Sequence, residues 1–211
     1  MKPVLIRQHG EHSPPDLLED WLRARSIPYV VNRSWLGEPL PDPRDHSFVV
    51  SLGSRFNPRD RDEPLVADEL RLLDRAVERE VPVLGLCFGG QVLAAVLGAE
   101  IEPAPEPELG WYTLDSDDHD LIEPGPWLEW HYERFEVPAG AREIARTRVA
   151  PQAFTYGPHL GVQFHPESRA ETVAGWARKD AQRLASYGIE DGVALLEGPA
   201  EQQQASVEAA F

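Results

Sequence analysis

The chain is poor in sulfur, with one cysteine and one methionine among 211 residues. A single thiol rules out an internal disulfide framework, and a thiol with chemistry to perform has to stay reduced, so a cytoplasmic setting is the expectation. Also missing is any run of about 18 apolar residues, the length needed to cross a bilayer. No basic stretch followed by an apolar one marks a secretory leader near Met1. Positive charge is scarce: 20 Lys and Arg face 36 Asp and Glu, for a formal charge of −16. Such a balance repels nucleic acid and anionic membrane surfaces, so neither is expected as a partner. The seven histidines include no H-x-x-x-H pair of the zinc-protease kind. His119, in Asp115-Ser116-Asp117-Asp118-His119-Asp120, lacks a second histidine nearby and reads as part of a solvated loop. No metal site is expected. No phosphate-binding glycine-rich P-loop is present either, so any ATP-dependent step belongs to another chain.

What the chain does have is the stretch Val81-Pro82-Val83-Leu84-Gly85-Leu86-Cys87-Phe88-Gly89-Gly90-Gln91. Its apolar first half reads as a buried strand ending at Cys87, and an Ala/Leu/Val-rich run of helical character follows directly. The cysteine therefore stands on a strand-to-helix turn. There the first helical turn aims unpaired N–H groups and the positive end of its dipole at the sulfur, which favours the nucleophilic thiolate. Gly85, Gly89 and Gly90 suit a turn too tight for a Cβ at some positions. A free cysteine is most often a small buried hydrophobe; this flanking sequence points to a nucleophile instead.

A nucleophile needs a base, and the base needs an orienting group. Leu160-Gly161-Val162-Gln163-Phe164-His165-Pro166-Glu167-Ser168 offers both. Alternation suggests a strand running to His165, after which Pro166 turns the chain. Glu167 can then fold back and accept the ring N–H that faces away from the sulfur.

These two segments resemble the class I glutamine amidotransferases, whose elbow reads G-x-C-x-G-x-Q and whose later segment reads H-P-E. Trp127-Leu128-Glu129-Trp130-His131-Tyr132-Glu133-Arg134-Phe135 is similar to the W-H-G-D-x-F segment of stand-alone members related to the glutaminase half of GMP synthase. Glu108-Leu109-Gly110-Trp111 is similar to their E-I-G-W. The resemblance implies a Cys87, His165 and Glu167 triad that hydrolyses the side-chain amide of glutamine through a thioester, without a cofactor. It also implies an oxyanion hole from the backbone amides of Gly53 and Phe88, the loop Ser51-Leu52-Gly53-Ser54 corresponding to the family's S-G-G-P. Substrate contacts are implied for Gln91 and for a loop at His131, Tyr132 and Glu133. Tyr132 and Glu133 stand where the family has Gly and Asp, and a bulky tyrosine is expected to reshape the pocket.

In chain order, strand signals at Val4-Leu5-Ile6, Tyr29-Val30-Val31 and Phe48-Val49-Val50 alternate with helices over Leu17 to Arg25, capped by Asp16, and Pro64 to Glu80. The second of these helices spaces Leu65, Leu70, Leu73 and Val77 along one face. Such β-α-β-α order predicts an α/β fold, an open and mostly parallel sheet with helices on both faces and its active site at the carboxyl ends of the strands. Beyond the elbow helix, short strands near 100–102, 110–114 and 145–155 suggest an antiparallel extension. A further helix is predicted over Ala170 to Leu184. The resemblance implies a flavodoxin-like core. A single domain over 1–190 and a polar tail over 191–211 complete the expected layout.

Three functions fit this reading. The first is a glutaminase subunit supplying ammonia to a separate ATP-dependent synthetase. In the second, the triad cleaves a γ-glutamyl amide or isopeptide without a partner. The third is a non-catalytic binding relative. The elbow alone also suits dienelactone-hydrolase-like α/β-hydrolases, which place the acidic residue well before a late histidine rather than in H-P-E.

Overall fold

A computed structural model describes residues 2–197. The chain opens with β1 (Val4–Gln8), α1 (Asp16–Ala24), β2 (Tyr29–Arg33), β3 (Val49–Ser51), α2 (Pro64–Glu78), β4 (Val83–Leu86) and α3 (Phe88–Val96). There follow β5 (Ile101–Tyr112), β6 (Asp115–Ser116), β7 (Trp127–Phe135), β8 (Arg142–Arg146), β9 (Pro151–Tyr156), β10 (His159–Val162), α4 (Ala170–Lys179) and α5 (Ala181–Ser186). The main sheet has the order β2-β1-β3-β4-β10-β9-β8-β6. Pairing is parallel from β2 through β10 and antiparallel from β10 to β6. A separate two-stranded ribbon joins β5 to β7.

Side-chain alternation along the central strands divides the core in two, because successive residues point to opposite faces. Val4, Ile6 and Val50 pack with Leu18 and Leu22 of α1, whereas Leu5, Val49 and Val83 pack with Val66, Leu72, Leu73 and Val92 of α2 and α3. Helices thus cover both faces. A third apolar group joins Leu128, Trp130 and Tyr132 of β7 to Val173, Ala177 and Leu184. Val193, Leu195 and Leu196, placed in the tail by sequence, pack against this group, and Trp111 Nε1 donates to the Leu196 carbonyl at 3.3 Å. Apolar surface on the β5-β7 ribbon gives that stretch something to cover. The rest of the predicted tail, from 198 onward, lies outside the described residues.

Several elements differ from the sequence expectation. Asp16 makes no capping bond to α1; its carboxylate accepts from the Arg169 amide at 3.1 Å and the Thr172 hydroxyl at 2.6 Å, and so holds the start of α4. The predicted helix over 170–184 is broken at Asp180 into α4 and α5. The buried face of α2 is Val66, Glu69, Leu72, Leu73 and Ala76, rotated from the predicted stripe because a carboxylate sits in it. Glu69 is fully buried against Arg7 Nε at 2.9 Å and His9 Nε2 at 3.0 Å. Pattern reading scores Glu69 as a solvent position, but its charge is compensated inside.

Candidate active site

Cys87 lies between the end of β4 and the start of α3, with φ 50° and ψ −107°. A non-glycine residue occupies this sparsely populated backbone region only when its surroundings impose it. Here they do so at several points. The Cys87 amide donates to the Val162 carbonyl of β10 at 2.9 Å. Behind the turn, a Cβ on Gly89 would stand 2.1 Å from the Ser51 carbonyl oxygen, and one on Gly85 would stand 2.5 Å from the Gly89 oxygen. The missing side chains let α3 sit directly on β3 and β4. The thiol, 7% exposed, is thereby presented above the strand ends.

His165 reaches the same place by a different route. The predicted strand to His165 stops at Val162; the chain leaves β4 there, and the His165 amide donates to the Leu128 carbonyl of β7 at 2.8 Å. Its Nδ1 lies 2.9 Å from Glu167 Oε1. That oxygen also accepts from the Ser168 hydroxyl at 3.2 Å. The turn carrying Glu167 is clamped, since its carbonyl accepts the Leu17 amide at the start of α1. The edge of Trp176 rests on the imidazole with centroids 4.9 Å apart. Burial alone would lower the pKa of His165, but the charges of Glu167 and Cys87 and the hydrogen bond to Glu167 outweigh it and raise it well above the usual histidine range. The charge of the Cys87 sulfur acts on the same imidazole. Such an arrangement can hold a thiolate beside an imidazolium and return the proton to a leaving amine.

A family model for class I glutamine amidotransferases matches residues 56–175, more than half of the chain. The chain belongs to the class I glutamine amidotransferases. It is 35% identical over 139 residues to a glutamine-hydrolysing GMP synthase subunit from Ignicoccus hospitalis, covering 61% of this chain and 71% of that protein. A glutamine amidotransferase from Thermotoga maritima superposes with a TM-score of 0.86 at 28% identity, covering 98% of this chain and 94% of that one. One from Methylobacillus flagellatus superposes with a TM-score of 0.82, also at 28% identity, covering 100% of this chain and 94% of that one. This amidotransferase is therefore an enzyme of the amidohydrolase type, with the mostly parallel fold of its relatives.

The other residues singled out in the amidotransferase sequence are distributed as follows. Gly53 lies against the imidazole, where a Cβ would stand 2.7 Å from His165 Cε1. Phe88 opens α3, so its amide belongs to a first turn whose N–H groups have no partner inside the helix. Gln91 donates to the Glu133 carbonyl at 2.9 Å and to Gln163 Oε1 at 3.1 Å, committing both amide hydrogens to protein. His131, Tyr132 and Glu133 stand on strand β7, not on a loop, because Trp127 to Phe135 pair with β5. The Tyr132 ring turns away from His131, lies beneath the Arg183 guanidinium at 3.3 Å and donates to Asp180 Oδ2 at 3.0 Å. These contacts tie the ring to Asp180 and to Arg183 of α5. Glu133 accepts from Asn57 Nδ2 at 3.0 Å. His131 Nδ1 lies 2.9 Å from the Glu133 carbonyl, so its Nε2 points back into the protein. His119 is exposed and lies 3.1 Å from the Ser116 carbonyl. Among the described residues, no group of three or more His, Cys, Asp or Glu could hold a metal ion.

Sequence reading passed over two neighbours of the sulfur. Gln163 Nε2 points at Cys87 Sγ from 3.6 Å; a fully buried glutamine between Val162 and Phe164 was the signal available. Glu129 is completely buried and interacts electrostatically with Cys87 and His165. Burial first, then the Glu108 carboxylate, raise its pKa well above the usual carboxylate range. A carboxylate between Leu128 and Trp130 in an apolar strand was the corresponding sign.

Proposed function

We propose that this amidotransferase hydrolyses the side-chain amide of glutamine through Cys87, His165 and Glu167 and delivers the ammonia to a separate ATP-dependent synthetase chain. The observation that carries the reading is the buried relay: His165 Nδ1 at 2.9 Å from Glu167 Oε1, with the charge of Cys87 acting on the same imidazole. In this mechanism Cys87 attacks the amide carbon, and the amides of Gly53 and Phe88 receive the negative charge on oxygen, each donor contributing about 3–4 kcal/mol. As the C–N bond breaks, the imidazolium protonates the departing nitrogen. Water, deprotonated by His165, then cleaves the thioester to give glutamate. Glu167 holds the imidazole in the required tautomer and stabilises its charged form.

Similarity to a glutamine-hydrolysing GMP synthase subunit supports glutamine as substrate and a separate chain as acceptor of the ammonia. The test is ammonia release from glutamine by the purified protein, alone and with a candidate ligase. Cys87→Ala and Cys87→Ser should abolish release, serine being a far weaker nucleophile here. A diazo-ketone analogue of glutamine should label Cys87 alone. Substantial activity in either variant, or an adduct mapped elsewhere, overturns the mechanism. Fast turnover on a γ-glutamyl amide without any partner, and none on glutamine, replaces this reading with a stand-alone γ-glutamyl hydrolase.

A further inference from the structure

Beside the relay lies a group of buried oxygens without hydrogen-bond partners. Glu108 on β5 and His131 on β7 are register partners, and Glu129 shares the face of His131 by the alternation of a strand. His131 Nε2 stands 3.2 Å from Glu108 Oε2 and 3.4 Å from Glu129 Oε2, without an aligned hydrogen bond to either. Gln152 on β9 donates to Glu108 Oε2 at 2.7 Å. Every one of these side chains is at most 3% exposed, yet Glu108 Oε1, both oxygens of Glu129 and Gln152 Oε1 lack any hydrogen-bond partner. Orphaned acceptors of this kind each cost about 1–3 kcal/mol, and such a cluster persists when a ligand supplies the donors.

A small cation bearing several N–H groups has the donors that these oxygens lack. The reaction proposed above liberates such a nitrogen at the adjacent sulfur. Glu108 also lines a cavity of about 480 Å³, together with Tyr112, Arg146 and Thr147. We infer that the free oxygens of Glu108, Glu129 and Gln152 form a binding site for ammonium, situated between Cys87 and this cavity. The inference rests on the glutaminase reading for the source of the nitrogen, though not for the chemistry of binding. The step balances: ammonia leaving Cys87 takes the proton of the Glu129 carboxyl, and the resulting ammonium is held by the carboxylate so formed and by Glu108. Four N–H donors then meet the orphaned oxygens. Release into the cavity requires only that the proton return to Glu129.

The experiment uses no glutamine, so it is readable whether or not the hydrolysis reading stands. Thermal unfolding of the full chain is followed in ammonium chloride, potassium chloride and tetramethylammonium chloride at equal ionic strength. Potassium is similar in size to ammonium but has no N–H group, and tetramethylammonium lacks N–H and is larger. At ten times Kd a bound cation shifts the folding equilibrium about elevenfold, a midpoint rise of about 3–6 °C for a chain of this size. The expected result is a rise specific to ammonium in the wild type, absent in Glu129→Gln and reduced in Glu108→Gln. Equal effects of ammonium and potassium overturn the inference, as does an undiminished ammonium effect in Glu129→Gln. Should either variant fail to fold, the wild-type comparison among the three cations decides the matter. Failure of this titration alongside normal ammonia release from glutamine refutes the site and leaves the proposed reaction intact.

Discussion

Replacing Glu167 by glutamine separates orientation from chemistry in the proposed relay. The carboxylate and imidazole are each 3% exposed and lie 2.9 Å apart. With charge centres roughly 4 Å apart and an effective dielectric near 20, their Coulomb attraction is about 4 kcal/mol. Part of this is recovered by the amide dipole, so the net loss expected for one charge-assisted hydrogen bond is about 1.5–3 kcal/mol. The sign follows from the charges: Glu167 stabilises the imidazolium, the imidazolium stabilises the Cys87 thiolate, and without the carboxylate the thiolate forms only at higher pH. Alkylation of Cys87 by iodoacetamide, measured across pH, should therefore show its inflection displaced upward. At a fixed pH below the inflection it should be about 10- to 100-fold slower than in the wild type. Glutamine turnover should fall further, toward the roughly 10⁴-fold loss seen when another triad loses its orienting carboxylate, because the amide also admits the wrong tautomer. His165→Ala should cost at least as much, and the double variant little more than His165→Ala alone, since members of one relay act as a unit. Superimposable alkylation curves with near-normal turnover would reduce Glu167 to a turn residue and refute the relay.

Three further outcomes concern stability. Burial would raise the pKa of Glu69, but His9 and Arg7 outweigh it and lower the carboxyl from 4.5 to about 2; its stabilising contribution, about 3 kcal/mol, is full above pH 4.5 and lost as pH falls toward 2. Glu69→Gln should cost about 3–5 kcal/mol near neutrality by stranding the buried Arg7 charge, and should flatten the acid limb of a denaturation series over that window. Glu129 has the opposite sign. Its raised folded pKa makes folding take up a proton above the ordinary carboxylate range, so Glu129→Gln should stabilise the protein by an amount that grows with pH, initially by about 1.4 kcal/mol per pH unit. An unchanged difference between pH 5 and pH 8 in chemical denaturation would count against a neutral Glu129. Gly89→Ala puts a Cβ 2.1 Å from the Ser51 carbonyl oxygen, which only movement of β3 or α3 can relieve. A loss of about 3 kcal/mol or more is expected, and a midpoint like the wild type would show that the elbow has slack.

The sequence by itself determined the parts of this protein that depend on neighbours in the chain. Gly85 to Gln91 mark the strand, the turn and the helix behind Cys87 within a few residues, because the change from apolar run to helical run and the glycines at the turn are local signals. His165, Pro166 and Glu167 lie close enough in the chain for the pairing of carboxylate and ring to be legible before the fold is known. Alternating strand and helix patterns likewise carried the parallel sheet, with each period set by the backbone itself. Tertiary structure decided what depends on partners far apart in the chain. Strand β10 stops at Val162 because His165 bonds to Leu128 of β7, and β7 is a strand, not a loop, because β5 lies beside it. Asp16 serves α4 rather than its own helix, and Tyr132 finds its partners in Asp180 and in Arg183 of α5. Glu69 and Glu108 look like surface residues in a composition or periodicity count, and only its place between Leu128 and Trp130 sets Glu129 apart. Burial of a carboxylate depends on what surrounds it, and only the folded chain brings Arg7 and His9 to Glu69, or His131 and Gln152 to the other two.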